Sequence, residues 1–206
     1  MFESLRWKTV GLFLVLCLVD NISCTQETYR DQIIAQYQRT SALMVLCMNP
    51  ITGEASPVMG SGVIVSDDTI MTAAHVVDCE GVILVRTGLE QESIATVTKI
   101  NKERDIAVLN APGVTGPTLT FGPKPLPGDK LCVSPGWPNR NRNCGEVYYE
   151  EGGPGHGIRF SAIVQPGNSG AGVYNTHDQL VGILTILTVC GNSQYCGAGA
   201  TALDLR

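Results

Sequence analysis

The hydrophobic pattern of the chain is a succession of short apolar runs separated by Gly, Pro, Asn or Asp, with almost no helical periodicity. Short runs rich in Val, Ile, Thr and Leu between turn residues are typical of β-strands. One series of runs covers 42–48, 57–66, 69–72, 81–87, 93–101 and 105–110, and a second covers 118–121, 130–135, 145–150, 158–164, 171–174, 179–188 and 198–203. Evenly spaced short strands predict an all-β protein built as a sandwich or as barrels.

A proline-rich segment separates most of the second series from the first. The prolines of this segment are Pro112, Pro117, Pro123, Pro125 and Pro127. Because proline cannot donate a backbone hydrogen bond, such a segment does not form a central strand. We interpret 111–129 as a crossing between two β lobes, the first at about 42–110 and the second at about 130–206.

Residues 1–24 have the layout of a secretory signal peptide. Arg6 and Lys8 precede an apolar run at 9–19, and small and polar residues follow as far as Cys24. The run is shorter than the ~20 residues of a membrane-spanning helix. We therefore expect cleavage near residues 23–25, an exported product and a lead-in segment at 25–41. Lipid attachment at Cys24 is the alternative, and it is the only route by which we expect membrane association.

Export agrees with the cysteine content, because disulfides persist in oxidising compartments. The cysteines that remain after Cys17 and Cys24 are set aside are Cys47, Cys79, Cys132, Cys144, Cys190 and Cys196. The sequence alone leaves the connectivity open. Because two pairs flank polar loops, we favour the bonds Cys132–Cys144 and Cys190–Cys196, which leaves Cys47 for Cys79. No pair has Cys-x-x-Cys spacing and no histidine lies near one, so no metal site is predicted.

The charge distribution excludes one class of partner. The formal net charge is -5 and the basic residues are scattered along the chain. Nucleic-acid binding requires a concentrated basic surface, so neither DNA nor RNA is expected to be a partner.

One serine stands out by its setting. Ser169 lies in Gly167-Asn168-Ser169-Gly170, just ahead of a short apolar run. A serine hydroxyl attacks a carbonyl when a base takes its proton and backbone N–H groups stabilise the oxyanion. Glycine at 167 and 170 permits the tight turn that such donors need. A surface turn is the alternative interpretation, so the prediction depends on partner residues.

A nucleophilic serine needs a histidine, and the chain has three. His156 and His177 lie in predicted solvated turns. His75 instead follows two alanines at the end of a predicted strand, where small neighbours leave space beside the ring. Asp105 begins another apolar run, and a carboxylate there must be hydrogen-bonded, for example by an imidazole N–H. Each residue alone has a structural explanation, but the order His75, Asp105, Ser169 is more specific.

The chain resembles the trypsin-like, chymotrypsin-fold serine endopeptidases in three motifs, from about position 42 to about position 203. The motifs are Thr72-Ala73-Ala74-His75, Asp105-Ile106-Ala107-Val108-Leu109 and Gly167-Asn168-Ser169-Gly170. The resemblance implies two six-stranded antiparallel β-barrels with the active site in the cleft between them. It also implies that His75 is the general base, that Asp105 orients it, and that Ser169 is the nucleophile. The backbone N–H groups of Gly167 and Ser169 would form the oxyanion hole.

One departure from pancreatic trypsins is informative. Those enzymes have Asp immediately before the nucleophile, where it receives a new N-terminus after activation cleavage, whereas this chain has Asn168. No Ile-Val-Gly-Gly segment precedes the first strand. We therefore expect activity without zymogen cleavage. Gly-Asn-Ser-Gly is more similar to the bacterial branch, the Deg-type heat-shock proteases and the glutamyl endopeptidases, although no PDZ domain is expected after the last strand.

Substrate preference is the least constrained property. The resemblance places Ile163, six residues before Ser169, at the floor of the pocket for the residue preceding the cleaved bond. Thr185, Ile186 and Leu187 would line its wall. Because these residues include no charge, we expect a small or medium apolar side chain in the pocket. A glutamyl preference, which needs a polar or basic wall, is disfavoured.

Together these features predict a secreted serine endopeptidase with its protease domain at 42–206. We expect it to act as a monomer on protein or peptide substrates and to need no cofactor. A protease-like module that binds peptides without hydrolysing them is the main alternative. An esterase is a further alternative, although Ala171 departs from the Gly-x-Ser-x-Gly motif of α/β-hydrolases.

Overall fold

The computed structural model describes residues 41–48, 51, 55–87, 91–116, 119–136, 142–148, 157–190 and 194–202. All of these lie in one compact unit, Gln38–Arg206. Of these, the side chains at 41–48, 55–58, 187–190, 194–199, 201 and 202 are outside the description. The predictions for the signal peptide, the lead-in segment, Cys24 and His156, and for the side chains of Cys47, Leu187, Cys190 and Cys196, therefore lie outside the described residues.

In the described part of the chain, twelve strands form two closed antiparallel barrels of six strands each, which confirms the predicted all-β double barrel. The N-terminal barrel, in the order β1-β2-β3-β6-β5-β4, consists of β1 (Ser41–Met48), β2 (Ala55–Ser66), β3 (Thr69–Thr72), β4 (Val82–Thr87), β5 (Glu92–Asn101) and β6 (Ile106–Asn110). The C-terminal barrel, in the order β10-β11-β12-β9-β8-β7, consists of β7 (Lys130–Ser134), β8 (Asn143–Tyr148), β9 (Gly157–Phe160), β10 (Gly172–Tyr174), β11 (Leu180–Cys190) and β12 (Gln194–Ala202).

Each barrel encloses its own apolar core, because alternate residues of its strands point inward. Ile70 and Leu109 are fully buried in the N-terminal barrel, and Ile158 and Phe160 in the C-terminal barrel. A third cluster joins both barrels and the crossing, and consists of Val63, Leu119, Tyr174, Leu180 and Ile183. Burying one such aliphatic or aromatic side chain contributes roughly 1.5–3 kcal/mol. This shared cluster keeps β2 against β10 and β11. The segment at 165–171, which we call the Ser169 loop, directly precedes β10 and is hydrogen-bonded to β11.

The structure differs from the predicted strands at several places, and β12, for example, begins at Gln194 instead of residue 198. The predicted strand at 118–121 is wrong for its described part, where Phe121 forms only an isolated parallel bridge to Leu180. Flanking prolines limit further pairing there. Strand β9 ends at Phe160 rather than at residue 164, although alternate burial continues to Val164. A single 3₁₀ turn, Ala74–Val76, follows β3 and was not predicted.

A disulfide joins Cys132 and Cys144, which face each other on β7 and β8. Cys79 is also disulfide-bonded, to a cysteine outside the described side chains. The predicted pairing of Cys79 with Cys47 therefore stays a prediction. Among the helices of the described residues, none is long and apolar enough to cross a membrane.

Candidate active site

His75 and Asp105 are joined by hydrogen bonds between a 3₁₀ turn and the start of a strand. His75 lies in the turn after β3, and Asp105 directly precedes β6. Asp105 Oδ2 lies 2.7 Å from His75 Nδ1, and the His75 backbone N–H donates to Asp105 Oδ1 at 2.9 Å. The Ala74 N–H donates to the Asp105 carbonyl at 3.1 Å. One aspartate thus fixes both the position of the turn and the plane of the imidazole.

The backbone of Asp105 explains how it makes all three contacts. Its φ is +52°, in the left-handed region that Asp tolerates better than most residues. Residues 102–105 form the turn between β5 and β6, and the Asn101 side chain accepts the Arg104 N–H at 2.9 Å within it. An unusual φ held by surrounding hydrogen bonds is frequent at functional sites.

The pairing with Asp105 also determines the tautomer of His75. An ionised carboxylate can only accept hydrogen bonds, so Nδ1 of the imidazole must donate. In the neutral ring this leaves Nε2 as an acceptor. The His75 side chain is 47% exposed and the Asp105 side chain 28%, so the imidazole is accessible to an incoming reactant.

The Ser169 loop has a backbone shape that most side chains would not allow. Gly167 has φ +91° and Gly170 has φ +87°. Asn168 between them is only 1% exposed, and its Oδ1 accepts the Gln165 N–H at 3.0 Å. Its own N–H donates to the Gln165 carbonyl at 3.0 Å, and its carbonyl accepts the Ala171 N–H at 2.9 Å. Asn168 therefore stabilises the turn from within.

Two backbone N–H groups of this loop have no hydrogen-bond acceptor among the described residues. The Asn168, Gly170 and Ala171 N–H groups all donate to carbonyls. Among the residues that the structure describes, the N–H groups of Gly167 and Ser169 donate to none. Unpaired backbone donors on either side of a buried residue are unusual, because an unmade hydrogen bond is costly. They are the two groups that the resemblance to trypsin-like endopeptidases predicts for an oxyanion hole.

Strand β2 brings the Ser169 loop next to the His75 turn. A Cβ on Gly60 would lie 2.6 Å from the methyl carbons of Val76 and 2.9 Å from the Ser169 carbonyl oxygen. A Cβ on Gly170 would lie 3.1 Å from the Ala73 nitrogen. The segments that carry His75 and Ser169 are therefore packed together with almost no intervening space. Within the described residues, however, no hydrogen bond joins the imidazole to the Ser169 hydroxyl, a contact that often tightens only when substrate binds.

The remaining predicted residues are placed as follows. His177 is exposed in the turn between β10 and β11, as expected of a solvated residue. Ile163 is 69% exposed and Ile186 is 39% exposed, on segments that flank the Ser169 loop. Thr185 is half-buried on β11.

Sequence reasoning missed two buried hydroxyl residues beside the site, Ser61 and Thr72. The Ser61 N–H donates to the Ser169 carbonyl at 2.7 Å, and Thr72 Oγ1 donates to the Ser61 carbonyl at 2.7 Å. Both side chains are fully buried. The available clue was a serine between two glycines in an otherwise apolar strand, and a threonine three residues before His75.

The fold and these contacts define a chymotrypsin-like double barrel that has its His-Asp pair and its serine loop side by side. The sequence profile of the trypsin-like peptidase domain matches residues 60–183, more than half of the chain. The chain therefore belongs to the trypsin-like peptidase family.

Two curated relatives are of the Deg type, the branch that the Gly-Asn-Ser-Gly motif had predicted. A probable periplasmic serine endoprotease DegP-like protein of Chlamydia trachomatis is 29% identical over 153 residues, 69% of this chain and 31% of that protein. Its counterpart in Chlamydia muridarum is 29% identical over 165 residues, 73% of this chain and 32% of that protein. The chain thus spans about a third of the length of the curated relatives that it matches.

Solved structures share the fold. The active form of the Rv3671c protease from M. tuberculosis has a TM-score of 0.67 at 20% identity, covering 82% of this chain and 78% of that one. The HtrA-type protease AlgW with a tripeptide also has a TM-score of 0.67, at 22% identity, covering 82% of this chain and 58% of that one.

Proposed function

We propose that this chain hydrolyses peptide bonds with Ser169 as nucleophile, His75 as general base and acid, and Asp105 as the residue that orients His75. One observation carries the proposal: among the described residues, the loop N–H groups next to Gly167 and Ser169 donate to carbonyls, whereas those of Gly167 and Ser169 donate to none. Two backbone donors beside a serine have a chemical purpose when a carbonyl oxygen becomes negatively charged there.

The reaction follows from these positions as in the best-known Ser-His-Asp peptidases. The Ser169 oxygen bonds to the carbonyl carbon while His75 Nε2 takes the hydroxyl proton, and the carbonyl π electrons move to the oxygen. The Gly167 and Ser169 N–H groups stabilise that oxyanion. When it collapses, the C–N bond breaks, His75 gives its proton to the leaving amine, and an acyl-Ser169 ester remains. Water, deprotonated by His75, then releases the acid product by the same two steps.

A library of fluorogenic tetrapeptides that differ only in the residue before the cleaved bond tests this function. The wild-type chain should cleave members of the library, and Ser169→Ala should reduce the rate to background. Ser93→Ala is a matched control, because Ser93 is a buried serine of the N-terminal barrel. Binding of the peptides without cleavage by the oxidised, folded wild type would favour a binding module, and cleavage of simple esters alone would favour an esterase.

We also propose that the site needs no newly generated N-terminus. The position that forms the ion pair in pancreatic trypsins is Asn168, whose side-chain oxygen already accepts the Gln165 N–H. Two extra residues, Gly-Ser, placed ahead of the mature N-terminus should therefore leave kcat/KM unchanged. A loss of activity that returns when the two residues are removed would contradict this proposal.

Export and an apolar substrate preference complete the proposal. The layout of residues 1–24, the Cys132–Cys144 disulfide and the periplasmic description of the two chlamydial relatives support export. The exposed Ile163 and Ile186 support a small or medium apolar residue before the cleaved bond. The peptide library measures this preference directly: library members with Val or Ala at that position should be cleaved fastest, and those with Glu slowest.

A further inference from the structure

Ser61 makes three hydrogen bonds, to the Ser169 loop and to the segment that follows β7. Its N–H donates to the Ser169 carbonyl at 2.7 Å, and its hydroxyl donates to the Gly167 carbonyl at 2.9 Å. The same hydroxyl accepts the Gly136 N–H at 3.1 Å. A residue of the N-terminal barrel thus contacts two residues of the loop and the segment that follows β7.

The geometry fixes the direction of the Ser61 hydroxyl. A serine hydroxyl has one hydrogen and two lone pairs. Since the Gly136 N–H occupies a lone pair, the hydrogen is free to point at the Gly167 carbonyl. Ser61 is 0% exposed, so water does not compete for either contact. A buried hydroxyl with both partners in place holds its neighbours more firmly than an exposed one.

Thr72 holds Ser61 in turn. Its hydroxyl donates to the Ser61 carbonyl at 2.7 Å, and Thr72 is also 0% exposed. Thr72 is the last residue of β3 and lies three residues before His75. We call the pair, with its contacts to Gly167 and Ser169, the Ser61–Thr72 clasp.

The clasp acts on one of the two glycines of the loop, which have more backbone freedom than its other residues. Gly167 has no Cβ to restrict its φ and ψ, so its N–H can turn away from a substrate unless something fixes the adjoining peptide planes. The Ser61 hydroxyl fixes the plane that contains the Gly167 carbonyl, and the Ser61 N–H fixes the plane that contains the Ser169 carbonyl. Both planes adjoin residues whose N–H groups are unpaired.

We propose that Ser61 and Thr72 are positioning residues that keep the Gly167 and Ser169 N–H groups aimed at the developing oxyanion. The proposal rests on the function proposed above. It assigns the alignment of the oxyanion hole in the C-terminal barrel to two hydroxyls of the N-terminal barrel. A misplacement of about 1 Å in such a site can reduce turnover about 100-fold.

Ser61→Ala tests the clasp, with Ser93→Ala as its matched control. Ser93 is also a buried serine of the N-terminal barrel, and its hydroxyl donates to the Pro112 carbonyl at 2.9 Å, in the crossing instead of the Ser169 loop. With the best substrate of the peptide library, Ser61→Ala should lower kcat about 10- to 100-fold and change KM less than about threefold. The inhibition constant for the aldehyde of the same peptide should rise by a similar factor, because its adduct places an oxygen in the oxyanion hole.

Two variants of Thr72 test the clasp independently, because one removes the hydroxyl and the other keeps it. Thr72→Val removes the hydroxyl at nearly constant volume and should lower kcat about 10-fold, whereas Thr72→Ser keeps the hydroxyl and should retain most of the wild-type kcat. If Ser61→Ala fails to fold, this pair of variants decides the proposal by itself. Equal kcat values for Thr72→Val and Thr72→Ser would then overturn it.

The outcomes separate this inference from the proposed function. A wild-type chain that cleaves no library peptide contradicts the proposed function. A wild-type chain that cleaves peptides, with Ser61→Ala losing thermal stability in step with Ser93→Ala but keeping its kcat, contradicts the clasp alone. Lower kcat and weaker aldehyde inhibition in Ser61→Ala, with kcat unchanged in Ser93→Ala, supports both.

Discussion

The two halves of the site are held in place by different kinds of interaction. His75 and Asp105 are connected through side chains, and both of those side chains are partly exposed. The Ser169 loop is held almost entirely by backbone hydrogen bonds, two glycines with positive φ, and the buried residues Asn168 and Ser61. The half that moves a proton thus depends on the chemistry of two side chains, whereas the half that stabilises charge depends on backbone shape.

This difference predicts which substitutions affect each half. In the serine half, adding a single methyl group to a glycine should cause a large loss of activity, because the loop backbone depends on φ values that alanine rarely adopts. In the histidine half, an equally large loss of activity requires a substitution that changes which groups donate and accept hydrogen bonds. The following variants are ordered from the largest expected effect to the smallest.

Gly170→Ala should have the largest effect. Its Cβ would lie 2.0 Å from the Ser61 carbonyl oxygen and 2.3 Å from Thr72 Oγ1, and its φ of +87° adds strain. We expect loss of measurable activity and a large fall in the melting temperature by calorimetry. Gly128→Ala is the matched control, because Gly128 has φ +88° and open space around its Cβ position. It should lose only about 1–2 kcal/mol of stability and keep its kcat. Equal effects of the two variants would show that the clash at Gly170 is unimportant.

Asp105→Asn should break the histidine half without unfolding it. The amide NH₂ would face Nδ1 of His75, so the proton would move to Nε2 and the ring could no longer accept the Ser169 proton. We expect kcat to fall about 10,000-fold, with little change in KM. Asp129→Asn serves as the control, since Asp129 is a carboxylate that accepts a backbone N–H, from Leu126 at 2.8 Å, outside the site. Steady-state kinetics on both variants distinguishes orientation of His75 from a general role in folding.

Gly167→Ala should impair the serine half to an intermediate degree. A φ of +91° is strained for alanine, so the backbone should rotate and turn the N–H away from the substrate. Loss of one oxyanion donor costs about 100- to 1,000-fold in kcat. Gly113→Ala, at φ +82° and in open space, is expected to keep its turnover. Unchanged turnover in Gly167→Ala would contradict the assignment of this N–H.

Asp78→Asn should have the smallest effect. Asp78 pairs with Lys102 at 2.9 Å and thereby links the region after the 3₁₀ turn to the turn that precedes Asp105. Both side chains are well exposed, so the pair should contribute less than ~1 kcal/mol, and kcat should stay within about twofold of wild type. Kinetics at low and high salt measures this contribution. A fall in kcat as large as that of Asp105→Asn would mean that the exposed pair, and not the Asp105 carboxylate alone, positions His75.

The sequence predicted the histidine half more completely than the serine half. Alternating apolar runs predicted most strands, and the motifs around His75, Asp105 and Ser169 identified the segments that the structure brings together. Such motifs are visible because the required chemistry belongs to particular side chains. The family resemblance supplied the two barrels, whereas the order of the strands in each barrel depends on long-range pairing that neither the resemblance nor the periodicity had specified.

What the sequence did not reveal depends on contacts between distant segments. Ser61 is 106 residues from Gly167, and neither residue type by itself predicts a hydrogen bond between them. The predicted strand at 118–121 was wrong because, in its described part, this proline-rich segment forms only one β-bridge, from Phe121 to Leu180. Strand β9 ended early because its apolar alternation outlasts its pairing with β8 and β12. Local patterns report burial well, but they report pairing partners poorly.

Labelling with a fluorophosphonate tests the central claim most directly. The Ser169 oxygen should bond to phosphorus with loss of fluoride, and intact-mass spectrometry followed by peptide mapping should find one adduct, on Ser169. Ser169→Ala should not be labelled, and Asp105→Asn should be labelled far more slowly than Asp129→Asn. An unlabelled, correctly oxidised wild-type protein, or an adduct on another residue, would contradict the assignment of Ser169 as a nucleophile activated by His75 and Asp105.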